Sequence, residues 1–136
     1  MSRPNTVRCM LGMLGTDVHS KGIRTLARLL DEAGGIDVDY IGEHNSVEGM
    51  ATAVAERKAD IVGISFSSAA YVEYTRQLIE AMKARGVGHV PVILGGIIHP
   101  DDVDELKEMG VAGVFGAGSK TEDIIAFVQN EGNPQR

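Results

Sequence analysis

The chain has 136 residues, the size of one domain built around one core. Its 13 Lys and Arg against 19 Asp and Glu leave a formal net charge of -6, which argues against a nucleic-acid surface. No apolar run approaches the roughly 18 residues of a membrane span, and Met1-Ser2-Arg3-Pro4 lacks the apolar centre of a secretory signal, so a cytoplasmic protein is expected.

The first strand is expected over Val7 to Met13. It contains the single cysteine, Cys9, which reads as a buried thiol; no disulfide framework is possible within the chain. A helix follows over Gly22 to Ala33, where Ile23, Leu26, Ala27 and Leu30 recur at helical spacing, and Gly34-Gly35 end it. A second strand over Val38 to Ile41 leads to a helix over Val47 to Arg57, with Ser46 as its cap and Gly49 where a capping-box acid would stand. Strands over Ile61 to Ser65 and Pro91 to Leu94 are near-continuous Val, Ile and Leu, as parallel strands covered on both faces are. Between them a helix is expected over Ala70 to Arg85, ended by Gly86. Pro100, Asp101 and Asp102 suit the positive end of a helix over Asp101 to Met109, which Gly110 ends. A strand over Gly113 to Phe115 and a helix over Thr121 to Gln129 complete the series.

Alternation of strand and helix with short loops implies right-handed crossovers and an α/β fold. The expectation is a flavodoxin-like (Rossmann-like), doubly wound, five-stranded parallel sheet in the order 2-1-3-4-5, with helices on both faces. No internal repeat or linker is visible. Residues 1–136 read as a single domain, with a core over about 7–129 and frayed ends.

The carboxyl ends of these strands share a character. Gly15, Thr16, Asp17 and His19 come after the first; Ser65, Phe66, Ser67 and Ser68 after the third; Gly95 and Gly96 after the fourth; Gly116, Ala117, Gly118 and Ser119 after the fifth. Small residues at four strand ends leave a trough along the edge where open α/β sheets bind ligands. It lacks a cation cluster, so it suits a bulky, mostly neutral group better than a triphosphate. In Asp17-Val18-His19-Ser20-Lys21-Gly22, Asp17 sits where it can orient the His19 ring and leave the distal nitrogen free for a metal. A second cluster of metal ligands is missing from the sequence, so a cofactor would bring the metal with it.

Each of these residues also has a plainer reading. Asp17 suits a helix cap, Ser65 and Ser67 suit loop backbone groups, and Gly95 and Gly96 suit a turn. Gly116 and Gly118 match half of a dinucleotide fingerprint without its third glycine, and are candidates for lining the trough. His44, His89 and His99 read as solvated loop residues, and Lys21 as facing solvent or a partner subunit.

Taken in order, Asp17-x-His19-x-x-Gly22, Ser65 after the third strand, and Gly95-Gly96 resemble the cobalamin-binding domain family, whose motifs are Asp-x-His-x-x-Gly, Ser-x-Leu and Gly-Gly. The similarity runs from Val7 to Val128. The segments from Gly95 to Pro100 and from Val114 to Ser119 look like the corresponding loops of acyl-CoA mutases. The resemblance implies adenosylcobalamin bound with its own benzimidazole off the cobalt and its nucleotide tail in the trough. His19 would then be the axial cobalt ligand, held by Asp17. Gly22 would permit the tight turn into the first helix, Ser65 would bond the tail, and Gly95 and Gly96 would give it room. Two positions depart from the pattern: Ser67 replaces the family's Leu, and Met13 stands where acyl-CoA mutases usually carry Lys.

The implied function is the cobalamin-binding small subunit of an adenosylcobalamin-dependent mutase, an isomerase subunit inactive without a large catalytic subunit bearing a substrate-binding barrel. The acyl-CoA-mutase-like loops favour a CoA thioester as substrate, whereas Gly15-Thr16-Asp17 looks closer to the small subunit of glutamate mutase. A corrinoid carrier for methyl transfer shares the motif, but usually carries a helical bundle before it; about six residues precede the first strand here. A phospho-receiver domain would need Asp where Ser65 stands and Lys where Gly116 stands. A flavin carrier would need a loop rich in Ser and Thr after the first strand.

Overall fold

The computed structural model describes residues 6–15, 21–67, 69–116 and 118–132. Strands β1 (Val7–Gly12), β2 (Ile36–Tyr40), β3 (Ile61–Phe66), β4 (Val92–Gly96) and β5 (Gly113–Gly116) alternate with helices α1 (Lys21–Ala33), α2 (Val47–Arg57), α3 (Tyr71–Ala84), α4 (Val103–Glu108) and α5 (Thr121–Glu131). All strand pairs are parallel and the order is β2-β1-β3-β4-β5, as expected. A parallel sheet with helices on both faces buries its central strands completely. Accordingly Val7, Cys9, Leu11, Ile61, Val62, Ile64 and Leu94 are all buried.

Strand alternation divides the core into two layers. Met10, Val62, Ile64, Phe66, Val92 and Leu94 face α2, α3 and α4, where Met50, Val54, Leu78, Met82 and Leu106 meet them. Cys9, Leu11, Ile61 and Ile93 face α1 and α5, and pack with Ile23, Leu30 and Val128. Adjacent strands β1 and β3 therefore send their following helices to opposite faces. That is the switch point at which open sheets leave a crevice.

The expected helix ends are present. Ser46 Oγ accepts the Gly49 N–H at 2.9 Å to cap α2, and Gly34, Gly35, Gly86 and Gly110 all adopt positive φ after their helices. Several boundaries shift by a residue or two, and three shifts have a visible cause. Strand β2 starts at Ile36, because Val7 and Arg8 extend the pairing to Ile36 and Asp37. Strand β4 runs to Gly96, because Gly95 and Gly96 stay in register with Ser65 and Phe66 on one side and Phe115 and Gly116 on the other. The fourth helix opens as a 3-10 turn over Pro100–Asp102, with His99 Nδ1 accepting the Asp101 N–H at 3.1 Å. Among the described residues, no helix is long and apolar enough to cross a membrane.

Cys9 is completely buried, and the cost of placing a thiolate there pushes its pKa up to about 12. A folded pKa above the unfolded one means that the folded protein keeps a proton that the unfolded chain releases. The contribution is therefore intact below pH 9 and is lost as pH rises from 9 towards about 12. Between wild type and Cys9→Ala, urea-unfolding free energies should converge by about 1.4 kcal/mol per pH unit across that window. Parallel pH profiles for the two proteins would show that the thiol ionises in place.

Candidate functional site

A cleft of about 320 Å³ opens at the carboxyl side of the sheet between α1 and α5. Its floor is a row of register partners, Leu11, Gly63 and Ile93, from three neighbouring strands. One pleat further on, towards the edge, the row is Ser65, Gly95 and Phe115. The α1 wall presents Gly22, Thr25, Leu26 and Leu29, and the α5 wall Thr121 and Ile124. The lining is mostly aliphatic, with hydroxyls at Thr25, Ser65, Ser119 and Thr121 and no charged side chain among the described residues. The expected trough is thus present on the α1 and α5 face, and its chemistry suits a neutral, largely apolar group.

Glycines shape this cleft in two different ways. Gly96 has φ +95, and a Cβ there would stand 2.1 Å from the Phe66 carbonyl oxygen, so the backbone itself demands glycine. Gly118 (φ +90) is likewise demanded by its turn, and it is not among the lining residues. Gly22, Gly95 and Gly116 have no positive φ. Among the described residues, a Cβ would meet nothing within 4 Å at Gly22, only Gly96 O and Ile98 O at 3.9 Å at Gly116, and only Phe115 O at 3.3 Å at Gly95. The packing of the described residues leaves room for a Cβ at Gly22 and Gly116, and at Gly95 the Phe115 carbonyl would have to give by a few tenths of an ångström; all three line the cleft. Gly63, in mid-β3, went unremarked in the sequence. A Cβ there would lie 2.6 Å from Leu11 Cδ2, so its absence lets Leu11 settle over β3 and lowers the floor.

Of the other expected residues, Ser65 lines the cleft and makes no side-chain hydrogen bond to another described residue. Ser67 lies past the end of β3 and is not among the lining residues. Asp17 and His19 lie outside the described residues. No group of three or more His, Cys, Asp and Glu among the described residues is placed to hold a metal ion. His44, His89 and His99 are exposed, as expected, although His99 also caps the 3-10 turn. Lys21 is exposed at the start of α1.

The rim of the cleft at β4 is tied down from the opposite face. The Tyr71 hydroxyl donates to Asp102 and accepts the His99 N–H at 2.9 Å. The bond to Asp102 is also the main reason that its pKa is raised above the usual tyrosine value. The Ile97 N–H donates to the Phe66 carbonyl at 2.8 Å. The intervening tip leaves Ile97 67% exposed, the sole exposed large apolar side chain among the described residues.

Comparison with known proteins gives the same picture. The B12 binding domain family matches residues 7–126. The chain is 32% identical over 130 residues to the pivalyl-CoA mutase small subunit of Xanthobacter autotrophicus, covering 96% of this chain and 86% of that one. It is 27% identical over 124 residues to the 2-hydroxyisobutanoyl-CoA mutase small subunit of Aquincola tertiaricarbonis, covering 91% and 90%. A cobalamin-binding protein of Desulfitobacterium hafniense superposes with a TM-score of 0.77 at 24% identity, over 92% of this chain and 58% of that one, a likeness of fold.

The two kinds of glycine should separate by stability. We expect Gly96→Ala to cost about 2–4 kcal/mol and Gly95→Ala less than about 1 kcal/mol in urea unfolding. Equal costs would erase the distinction drawn between them.

Proposed function

The chain belongs to the B12-binding domain family, and on that premise we propose that it is the cobalamin-binding small subunit of an adenosylcobalamin-dependent acyl-CoA mutase. The observation that carries this reading is the cleft, where Gly22, Gly95 and Gly116 have backbone conformations that do not call for glycine. Gly22, Gly95 and Gly116 keep open a space that side chains would otherwise fill. Both curated relatives described above are small subunits of acyl-CoA mutases and are matched over most of their length, which supports a separate large catalytic subunit and a CoA thioester substrate. A soluble, cytoplasmic partner complex fits this assignment.

The residues fit the cofactor's nucleotide tail. An aromatic base is mostly apolar with a few acceptor atoms, and the cleft offers aliphatic walls with scattered hydroxyls. Ser65 would donate to the tail from its place beside Gly95, with Thr25 and Thr121 as further hydroxyls in reach of the same space. Gly96 serves by holding the edge of β4 against β3, and Gly118 by turning the chain into the approach to α5. Ser67 replaces the family's apolar residue at a position beyond the lining, so its substitution leaves the cleft's chemistry intact.

His19 would ligate the cobalt, and Asp17 would accept a hydrogen bond from its other ring nitrogen. That bond fixes the tautomer and raises the basicity of the ligating nitrogen. Bound adenosylcobalamin supplies a cobalt–carbon bond whose homolysis starts a radical rearrangement of a carbon skeleton. The role of this chain is to bind the cofactor, keep its tail out of water and present one face of it to the partner.

Two substitutions test the reading at separate points. Gly95→Leu should leave the chain folded but weaken cobalamin binding by at least about a hundredfold, measured by absorbance titration. His19→Ala should retain part of the binding through the tail but lose histidine nitrogen hyperfine structure from the cob(II)alamin spin-resonance spectrum, together with turnover in the presence of the large subunit. Wild-type affinity in Gly95→Leu would remove the cleft from the site, and an unchanged spectrum in His19→Ala would remove the ligand assignment.

A further inference from the structure

We propose that Asn45 is a positioning residue for the segment that carries His19. The proposal rests on the axial-ligand reading above and concerns how that ligand is held. After Tyr40 the chain leaves the regular β1–β2 ladder, turns through left-handed Gly42 (φ 86) and His44 (φ 61), and returns to bridge Leu14 at Asn45. The detour sits beside the end of β1, immediately before residues 16–20 of the sequence, which include Asp17 and His19.

The backbone groups of Asn45 and its side-chain NH2 are all spent on this stem. Its N–H donates to the Met13 carbonyl at 3.1 Å, and its own carbonyl accepts the Gly15 N–H at 2.9 Å. Its side-chain amide donates to the Met13 carbonyl at 3.0 Å and to the Gly42 carbonyl at 2.8 Å. Met13 in turn donates its N–H to Gly42 at 3.1 Å, closing the knot. From the other side Tyr74 lies against Gly15: a Cβ at Gly15, whose φ is +71, would stand 2.3 Å from the Tyr74 hydroxyl. Residues 13–15 are therefore held by backbone, amide and ring at once, while α1 begins only at Lys21.

A short loop inherits its aim from its ends. An axial nitrogen must reach its metal in one orientation, and sub-ångström errors in such constellations are costly. The backbone ladder alone would join β1 to the β2–α2 connection. The amide adds a crosslink at the point where the loop departs, which is where aim rather than stability is decided. Asn45 lies in a single loop position with no motif around it, and only the long-range pairing reveals what it does.

The test uses the full chain labelled with 15N-histidine and reconstituted with cob(II)alamin, so that the hyperfine pattern distinguishes imidazole from the cofactor's own base. Asn45→Asp keeps the side chain's size and removes both donors; Asn45→Ala removes the side chain. Ser46→Ala, which loses the neighbouring α2 cap without touching the stem, is the control for stability alone. In both Asn45 variants the share of cofactor ligated by histidine should fall by at least half, and the Gly15 amide of the cofactor-free chain should exchange about tenfold faster. Overall cobalamin affinity should change by less than about threefold, because the tail cleft is untouched, and Ser46→Ala should keep the wild-type spectrum. A wild-type histidine-ligated share in both Asn45 variants overturns the proposal, as does an equal loss in Ser46→Ala. A wild-type spectrum without histidine hyperfine structure overturns the axial-ligand reading itself, and the proposal with it.

Discussion

A parallel sheet packed by helices on both faces has no space for a ligand unless side chains are withdrawn from one of them. Here the withdrawal is local and one-sided. On the α1 and α5 face the carboxyl half of the sheet carries Gly63, Ser65 and Gly95 where Val, Ile or Leu would complete the layer. Each glycine in a strand costs roughly 0.5–1 kcal/mol relative to alanine, and the missing side chains forgo burial worth about 1.5–3 kcal/mol apiece. The opposite layer shows no such thinning: Met10, Val62, Ile64, Phe66, Val92 and Leu94 are all buried against α2, α3 and α4. The fold concentrates its cohesion on one face so that the other can stay hollow.

That asymmetry explains why the loops at the hollow face are held from behind it. Tyr71, on α3, fixes the β4–α4 connection through Asp102 and His99, and its ring lies 6.2 Å from that of Phe66, whose carbonyl holds Ile97. Tyr74, one turn further along the same helix, supports Gly15. The β4–α4 connection and the end of β1 are thus both held against α3, an element of the packed layer.

The architecture was readable in the chain because the signals involved are short-range. Continuous Val and Ile in β3 and β4, glycines with positive φ after α1, α3 and α4, and Ser46 before α2 each announce a local structure with a local cause. The errors fall where a distant partner decides. Gly95 and Gly96 look like the end of a strand, yet β3 and β5 on either side keep them in the ladder. The opening of the fourth helix tightens into a 3-10 turn where Tyr71 draws on Asp102 and the His99 N–H. Within the site, small residues at strand ends were visible as a pattern, and they do line the cleft at Ser65, Gly95, Gly96 and Gly116. Thr25 and Thr121 were not, because a threonine on an amphipathic helix shows its role only once the facing surface is known. Gly63 carried a signal that could have been used: a glycine inside an otherwise buried aliphatic strand marks close approach of something to the backbone.

What distinguishes a ligand glycine from a backbone glycine is therefore a geometric question that spacing alone leaves open. Gly95 and Gly96 are adjacent and share a motif, but φ +95 and a 2.1 Å approach to Phe66 O account for Gly96 completely, while nothing in the conformation of Gly95 calls for it. Gly116 and Gly118 divide in the same way, one facing the cleft and one serving a turn. In each pair the two demands fall within two residues of each other, at the carboxyl end of a strand. Losing the positive-φ glycine would move the strand edge; losing the other would leave the edge in place and fill the space it guards.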